Sequence, residues 1–385
     1  MKKVVALIDP SSGYERALLH GIGKYARLHG PWNFYCEPPY YTSVSRKQLE
    51  IASLREWHPD GIIAHECNRV EDLITLKVPL IVSPCSFLGD PQIPAICTDD
   101  RLVGEMAAEH LLRRGFRVFL YCGFQGFRWT QGRLQGFAER IAQGGGQVET
   151  HFYRKRRPKR AWLQEQESLA NRLCLMPKPL AVMAANDDMG QLVCEACKVT
   201  GLKVPEEVSV LGVDNDTLMC DMASPPLSSV ALNPERVGFE AGALLDRLMA
   251  GEVMSGERII DHPTHVVARQ STGNLAIADP LVAEAVHFIQ KNWRKRLTVS
   301  ELASHVAVSR RALERRFRRT IQHSVLDEIH AVQANHISQM LIETDMPIKQ
   351  IADIFGGPDF KYMLRWFRKV TGMTPKMYRM RYGRK

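Results

Sequence analysis

Polar side chains recur directly behind short apolar runs in this sequence. Asp9 follows KKVVALI, His65 and Glu66 follow DGIIA, Asn186 and Asp187 follow LAVMAA, and Asp214 closes VSVLGVD. The segment GFRWTQGRLQGF adds Trp129 and Arg133. Held in place, carboxylates, an amide and a guanidinium can each engage two hydroxyls, and an indole face can cover the C–H surface of a sugar ring. Hydrogen bonds to charged groups contribute roughly 1.5–3 kcal/mol each, so a few suffice to hold a small polyol. Each residue also has an ordinary alternative role, as a helix cap or a structural ion pair.

A second set of side chains is cationic. In DFKYMLRWFRKV, Met363, Trp366, Phe367 and Val370 fall within about 100° on a helical projection, and Lys361, Arg365, Arg368 and Lys369 fall opposite. The rings are therefore expected in a core and the cations on a separate face. Residues 280–385 carry 20 Lys and Arg against 9 Asp and Glu, whereas residues 1–279 carry 31 against 33. All the excess positive charge thus lies in the last quarter, the electrostatic footprint of a partner rich in phosphate. No Trp/Leu-rich amphipathic anchor accompanies it, which speaks against a membrane surface.

The elements that must carry these groups change character along the chain. Over the first ~270 residues, strand-like runs at 2–8, 60–65, 79–83, 117–123, 180–186 and 208–214 alternate with helical patterns. This alternation predicts parallel, doubly wound sheets, and the length fits two in tandem. Ligands of such sheets sit at the carboxyl ends of the strands, where the first polar set lies. RQSTGNLAIADP (269–280) is a polar break and the expected linker, and Asp279-Pro280 is an N-cap followed by Pro at the first helical position.

Beyond the break the pattern is all-helical and repeats. SELASHV/AVS/RRALERRFRRT returns as KQIADIF/GGP/DFKYMLRWFRKV, about 50 residues on. Each copy is a short helix, a turn and a longer basic helix, the form of a helix-turn-helix. Thr298-x-x-Glu301 is a capping-box pattern, and VLDEIHAVQANHISQMLIET (325–344) is expected as one connecting helix. Two recognition helices joined in this way can occupy successive major-groove segments about 34 Å apart.

Several functions are excluded or disfavoured. There is no Walker loop, GxSxG, HExxH or complete dinucleotide fingerprint, so no enzyme activity and no cofactor are expected. The nine scattered cysteines, odd in number, argue against a disulfide framework, and the lone CxxC at Cys194 and Cys197 is expected as buried thiols, with no metal site. The apolar run VVALI at the start is too short for a signal peptide, and a cytoplasmic protein is expected.

Residues 281–382 resemble the DNA-binding domain of the arabinose-operon activator (AraC/XylS) family through Ala352, Gly356, Phe367-Arg368-Lys369, Gly372, Thr374-Pro375 and Tyr378-Arg379. Gly357 and Met363 depart from that pattern, where a Phe and an aromatic residue are usual. By position, the resemblance implies groove-facing Arg310, Arg311, Glu314 and Arg315 in the first copy, and Phe360, Lys361, Tyr362 and Arg365 in the second. Arg318, Arg319, Arg368 and Lys369 are expected at phosphates or in solvent.

Residues 1–268 are similar to the effector domain of the lactose-repressor (LacI) family and to periplasmic sugar-binding proteins. The stretches that carry this are TDDRLVGEMAAEHLLRRGFRVFLYCG, RLQGF, AANDDMG and VSVLGVDN…SPPLSSV. The likeness implies that Arg133, Asn186 and Asp214 hold a sugar. The usual Asp-Asn is Asp99-Asp100 here, Leu232 stands where a polar residue is common, and that family's own N-terminal DNA-binding headpiece has no counterpart ahead of the strand starting at Lys2.

The order, with the sensor in front and the activator-type domain behind, resembles bacterial pentose-operon regulators. It implies a sugar-responsive, sequence-specific activator of transcription with a periplasmic-binding-protein-like sensor at 1–268, a linker at 269–280 and two helix-turn-helix motifs in 281–385. The implied partners are operator DNA, D-xylose or a related pentose, a second copy of the chain in a homodimer, and RNA polymerase. The alternatives are a constitutive architectural DNA-binding protein with a degenerate sensor, and a regulator answering to a non-pentose small molecule.

Overall fold

The computed structural model describes residues 1–36, 51–65, 70–83, 92–153, 161–253, 256–273, 275–295, 297–355 and 360–383. The chain divides into two compact units, one of Met1–Asp99, Phe127–Trp129 and Asn233–His262, the other of Asp100–Gly126, Thr130–Leu232 and Pro263–Lys385.

The first unit holds a six-stranded sheet. Its strands are β1 (Lys2–Leu7), β2 (Trp32–Cys36), β3 (Gly61–His65), β4 (Leu80–Ser83), β5 (Ala95–Thr98) and β11 (Arg258–Asp261), in the order β11-β5-β4-β3-β1-β2. All its pairings are parallel. β1, β3 and β4 are apolar along almost their whole length, as strands covered on both faces must be. Helices α1 (Gly13–His29) and α9 (Pro234–Met249) pack closely, and Leu18, Ile22, Val237, Ala241 and Leu245 lie buried in one cluster with Val4, Ile63 and Ile81.

The second unit repeats the sheet order with β6 (Val118–Phe124), β7 (Val148–Tyr153), β8 (Leu180–Ala184), β9 (Val208–Asp214), β10 (Ser228–Ala231) and β12 (His265–Val267), as β12-β10-β9-β8-β6-β7. Here the expectation of parallel strands needs one correction. β12 runs antiparallel to β10, because it is a three-residue edge strand on the chain's last entry into this sheet. Cys194 and Cys197 are buried in the core behind β8 and β9, as expected for packed thiols.

Two glycines set the helix geometry beside this sheet. Helices α4 (Asp100–Arg113) and α5 (Arg128–Gln143) cross so closely that a Cβ on Gly104 would lie 2.1 Å from the Arg133 carbonyl oxygen. A Cβ on Gly136 would lie 1.9 Å from that of Arg101. Only glycine permits this backbone approach.

The rest of the second unit is helical: α10 (Pro280–Lys291), α11 (Val299–His305), α12 (Arg310–Ile321), α13 (Val325–Glu343), α14 (Ile348–Phe355), α15 (Phe360–Thr371) and α16 (Pro375–Tyr382). The sequence signals for their starts hold. Asp279 caps α10 ahead of Pro280, and Thr298 and Glu301 form a reciprocal capping box on α11. α13 is the expected single connecting helix, about 28 Å long at 1.5 Å per residue. Its first half (Val325, Ile329) belongs to the core of the first helix-turn-helix, and its second half (Ala334, Ile337, Leu341, Ile342) to that of the second. Gly356 and Gly357, the turn of the second motif, lie outside the described residues.

Gly136→Ala should force α4 and α5 apart and destabilise the chain by about 1–3 kcal/mol or more, measured by urea unfolding. Gly23→Ala in α1, whose added Cβ would meet nothing nearer than 3.7 Å, should be neutral or stabilising by about 0.5–1 kcal/mol.

Candidate ligand site and nucleic-acid interface

In both sheets the strand order reverses at one place, between β1 and β3 in the first unit and between β6 and β8 in the second. Crevices at the carboxyl ends of such strands are where open α/β sheets bind ligands. Asp9 and His65 follow β1 and β3 at the first of these places, and Asn186 and Asp187 follow β8 at the second. In the first unit Asp9 is exposed behind β1 and accepts a hydrogen bond from the Ser11 backbone N–H at 2.9 Å. His65, at the end of β3, has Nε2 3.2 Å from Glu15 Oε1. Trp129 packs against Phe127 with ring centroids 5.6 Å apart, and Glu66 lies outside the described residues.

The second unit brings Arg133, Asn186, Asp187 and Asp214 together. Arg133, only 4% exposed, is the hub. Its Nε donates to Asp100 Oδ1 at 3.0 Å, its Nη1 to the Ala185 carbonyl at 2.5 Å and its Nη2 to Asp214 Oδ1 at 3.3 Å. Asn186 caps helix α7 (Asp187–Thr200), accepting from Met189 N–H and donating to Asp188 Oδ2. Asp187 is buried, and both its oxygens are engaged: Ser229 Oγ donates to Oδ1 at 2.7 Å and the Asp216 N–H to Oδ2 at 2.7 Å. The Asn215 N–H donates in turn to Ser229 Oγ.

This network holds an uncommon turn. Asp214 and Asn215 have φ of +99° and +53°, a left-handed pair with no glycine. Such residues cost about 1–3 kcal/mol each and persist only where their surroundings enforce them. Asp187 and Ser229 supply that enforcement.

Burial works against every charge here. For Arg133 the charges of Asp214 and Asp100 outweigh it, and the guanidinium is held above its ordinary pKa. Burial pushes the Asp214 carboxyl up while Arg133 pulls it down, and the net direction is up. One guanidinium shared between two carboxylates leaves Asp214 incompletely compensated. Asp187 stands well above the carboxylate range, through burial first and the neighbouring Asp214 second.

Members of this network not singled out in the sequence include Asp100, Ser229 and Arg269, whose Nη2 donates to Asn215 Oδ1. Asp100 carried a faint signal, as the acid standing where Asn is usual. Leu232, at the other departure, is buried and apolar.

On the helical side of the unit, Arg310, Arg311 and Arg315 are exposed on α12 over buried Leu313, Phe317 and Ile321, and Glu314 is half-buried. Their neighbour Arg316 is ion-paired to Asp279 at 2.6 Å. On α15, Lys361 and Arg365 are exposed and Phe360 is 40% exposed. Tyr362 is half-buried, its ring parallel to Phe355. Met363, Trp366 and Phe367 are buried, as the projection required, and Arg368 and Lys369 are exposed on the far side. Met363 fills the core position where an aromatic residue is usual, so this departure leaves the helix packed.

The helices join the sheet-bearing part of the unit through polar contacts. Asn335 of α13 hydrogen-bonds both the N–H and the carbonyl of Val266 on β12, and Tyr378 Oη donates to the Thr264 carbonyl. Arg117 Nη2 donates to the Thr320 carbonyl. Glu328 of α13, 3% exposed, meets Arg113 of α4 at 3.3 Å and His323 at 2.9 Å. Burial raises the Glu328 pKa, but the His323 hydrogen bond and the charges of Arg113 and Arg114 outweigh it and hold the carboxyl below its ordinary value of 4.5. A depressed folded-state pKa stabilises above the unfolded value and is lost as pH falls through the folded one. Glu328→Gln should therefore lower stability by about 1–3 kcal/mol at neutral pH. The difference from wild type should shrink as pH drops below 4.5, followed by chemical unfolding across pH.

Comparison with known proteins places this geometry. A periplasmic binding protein-like domain model matches residues 108–272, and a helix-turn-helix domain model matches residues 302–381. The xylose operon regulatory protein of Haemophilus influenzae is 30% identical over 98% of both chains. That of Escherichia coli K12 is 28% identical over 98% of this chain and 96% of its own. The solved structure of the xylose-binding transcription activator xylR aligns with a TM-score of 0.61 at 26% identity, covering 99% of this chain and 98% of that one. The expected architecture, two doubly wound α/β subdomains followed by a helical domain with two helix-turn-helix motifs, is the architecture found.

Proposed function

The chain belongs to the family of xylose operon regulatory proteins, and from that premise we propose that it is a cytoplasmic transcription activator whose effector is D-xylose or a related pentose. The observation that carries this reading is Arg133, buried between Asp100 and Asp214 at a strand-order reversal, in the same compact unit as two helix-turn-helix motifs. A buried guanidinium with an incompletely compensated carboxylate suits a neutral polyol, whose hydroxyls donate to Asp214 and accept from Arg133. Asn186 is the proposed further contact within this unit; in the first unit, taken by itself, Asp9, His65, Glu66 and Trp129 are the residues proposed to take sugar hydroxyls or cover a ring face. Asp187, with both oxygens engaged, acts by holding the Asp214 turn.

DNA recognition falls to Arg310, Arg311, Glu314 and Arg315 in α12 and to Phe360, Lys361, Tyr362 and Arg365 in α15. Arginine engages guanine O6 and N7 with two hydrogen bonds, and glutamate accepts from cytosine N4. The proposed assembly is a homodimer on a two-half operator, with RNA polymerase as the partner of activation. Among the described residues, no helix is long and apolar enough to cross a membrane.

Thermal unfolding against a pentose and hexose panel tests the sensor. A pentose should raise the midpoint most, and operator affinity or bending should change when it is present. Stabilisation by no sugar would favour a constitutive architectural regulator instead. Arg311→Ala and Arg365→Ala should each cost about 1–3 kcal/mol on the cognate site with little loss on non-specific DNA. In a fluorescence-anisotropy titration, equal loss on both DNAs would make these arginines phosphate contacts.

A further inference from the structure

The residues that follow β12, expected from composition to be a polar linker, are built into the sheet. Ser271 and Thr272 are fully buried in a single 3-10 turn (Gln270–Thr272). Ser271 Oγ donates to the Val210 carbonyl and accepts from the Ser228 N–H, and the Thr272 and Ser228 hydroxyls pair at 2.8 Å. Arg269, immediately before this turn, reaches back towards the candidate ligand site. Its Nη2 donates to Asn215 Oδ1 at 2.8 Å, its Nη1 to the Leu227 carbonyl at 2.9 Å, and its own N–H to Ser228 Oγ.

The arginine fork therefore holds the side chain of the second left-handed residue, next to the carboxylate that Arg133 grips. Asp187 and Ser229 fix the backbone of that turn, and Arg269 fixes its side chain. The other end of the same short segment meets the C-terminal end of α4, which contacts α13 through Arg113. The Thr272 hydroxyl lies 3.1 Å from His110 Nε2, the Thr272 carbonyl accepts from Arg114 Nε, and the Ala276 N–H donates to the Arg114 carbonyl. The adjoining Arg113 meets Glu328 of α13.

We propose that Arg269 is a positioning residue of the effector site, acting on Asp214 through Asn215, and that this fork couples sugar occupancy to the DNA-binding helices. The proposal rests on the reading that Asp214 takes hydroxyls of the effector. A sugar that draws Asp214 and its turn into one position shifts the Asn215 amide and with it Arg269. The buried 3-10 turn transmits that shift to Arg114 and α13 because its hydroxyls have no slack. Arg269 itself touches neither sugar nor DNA.

The test uses the full chain with D-xylose as probe and the operator fragment selected by the wild-type protein. Asn215→Gly keeps the left-handed backbone accessible and removes the amide. Arg269→Met keeps the aliphatic stem and removes the fork. Each should weaken D-xylose by about tenfold, the equivalent of one hydrogen bond from a charged group. Each should also reduce the factor by which D-xylose changes operator affinity. The double variant should be no worse than either single one, because both break the same contact. Arg269→Lys, which keeps the charge but cannot donate to two acceptors in a fork, should fall between wild type and Arg269→Met. Variants that unfold at lower temperature but keep wild-type D-xylose affinity and the wild-type factor would overturn the proposal, as would additive losses in the double variant. If wild type binds no sugar, the sensor reading falls and takes this proposal with it. If wild type responds and the variants respond equally, the sensor reading stands and this proposal falls.

Discussion

A guanidinium removed from water must be surrounded by acceptors, and the second unit is organised around meeting that demand for Arg133. An unpaired buried charge costs several kcal/mol, and removing one partner of a buried pair is far more damaging than removing both. Asp100, Asp214 and the Ala185 carbonyl meet the need, and they come from the start of α4, the end of β9 and the end of β8. For all three to reach one side chain, α4 must lie almost in backbone contact with α5, which is the reason for glycine at 104 and 136. The same convergence forces the chain past Asp214 into a left-handed turn that Asp187 and Ser229 then secure. The arrangement around Arg133 is thus held from several elements at once, and burial leaves both Asp214 and Asp187 above the ordinary carboxylate range.

The DNA-binding part solves a different problem: presenting two basic helices from one rigid support. A core of the size of one helix-turn-helix is marginal by itself. Here α13 is shared lengthwise between two such cores, so neither motif can tilt without disturbing the helix common to both. The rings of α15 serve this packing, with Trp366 against Phe355 and Phe367 against Tyr378. The arginines and lysines project from the opposite face. Segregation within the helix mirrors segregation along the chain, where the charge excess belongs entirely to this part.

The sequence makes legible whatever rests on local periodicity or local chemistry. β1, β3, β4, β6, β8 and β9 are apolar runs with no alternative explanation, and the caps at Asp279 and Thr298 need only neighbours within three residues. β2, β7 and β11 escape such a reading as edge strands of mixed composition, and β5, β10 and β12 because they have only three or four residues. The ligand site divides in the same way. Arg133, Asn186 and Asp214 stand in recognisable short stretches. The roles of Ser229 and Arg269 depend on hydrogen bonds spanning 42 and 54 residues, to which composition is blind. Polar composition even misdirects at 269–272, where buried serine and threonine hydroxyls satisfy one another and the neighbouring strand ends.

That buried polar segment bears on how a regulator of this order can work. A flexible linker would let the DNA-binding helices move independently of the sheet, and ligand binding would then change nothing in them. A ligand shifts an equilibrium only by the difference in its affinity for the two states. That difference must be expressed in contacts that both parts share. Among the described residues the shared contacts include directional, mostly half-buried hydrogen bonds and ion pairs: Thr272 with His110 and Arg114, Glu328 with Arg113, Asn335 with β12, and Tyr378 with Thr264. Hydrogen bonds of this kind tolerate little displacement before a buried donor or acceptor is left unpaired, at about 1–3 kcal/mol each. An apolar interface of equal area would slide at lower cost. On the proposed coupling, the polar character of this junction is what would pass a displacement at Asp214 on to α13.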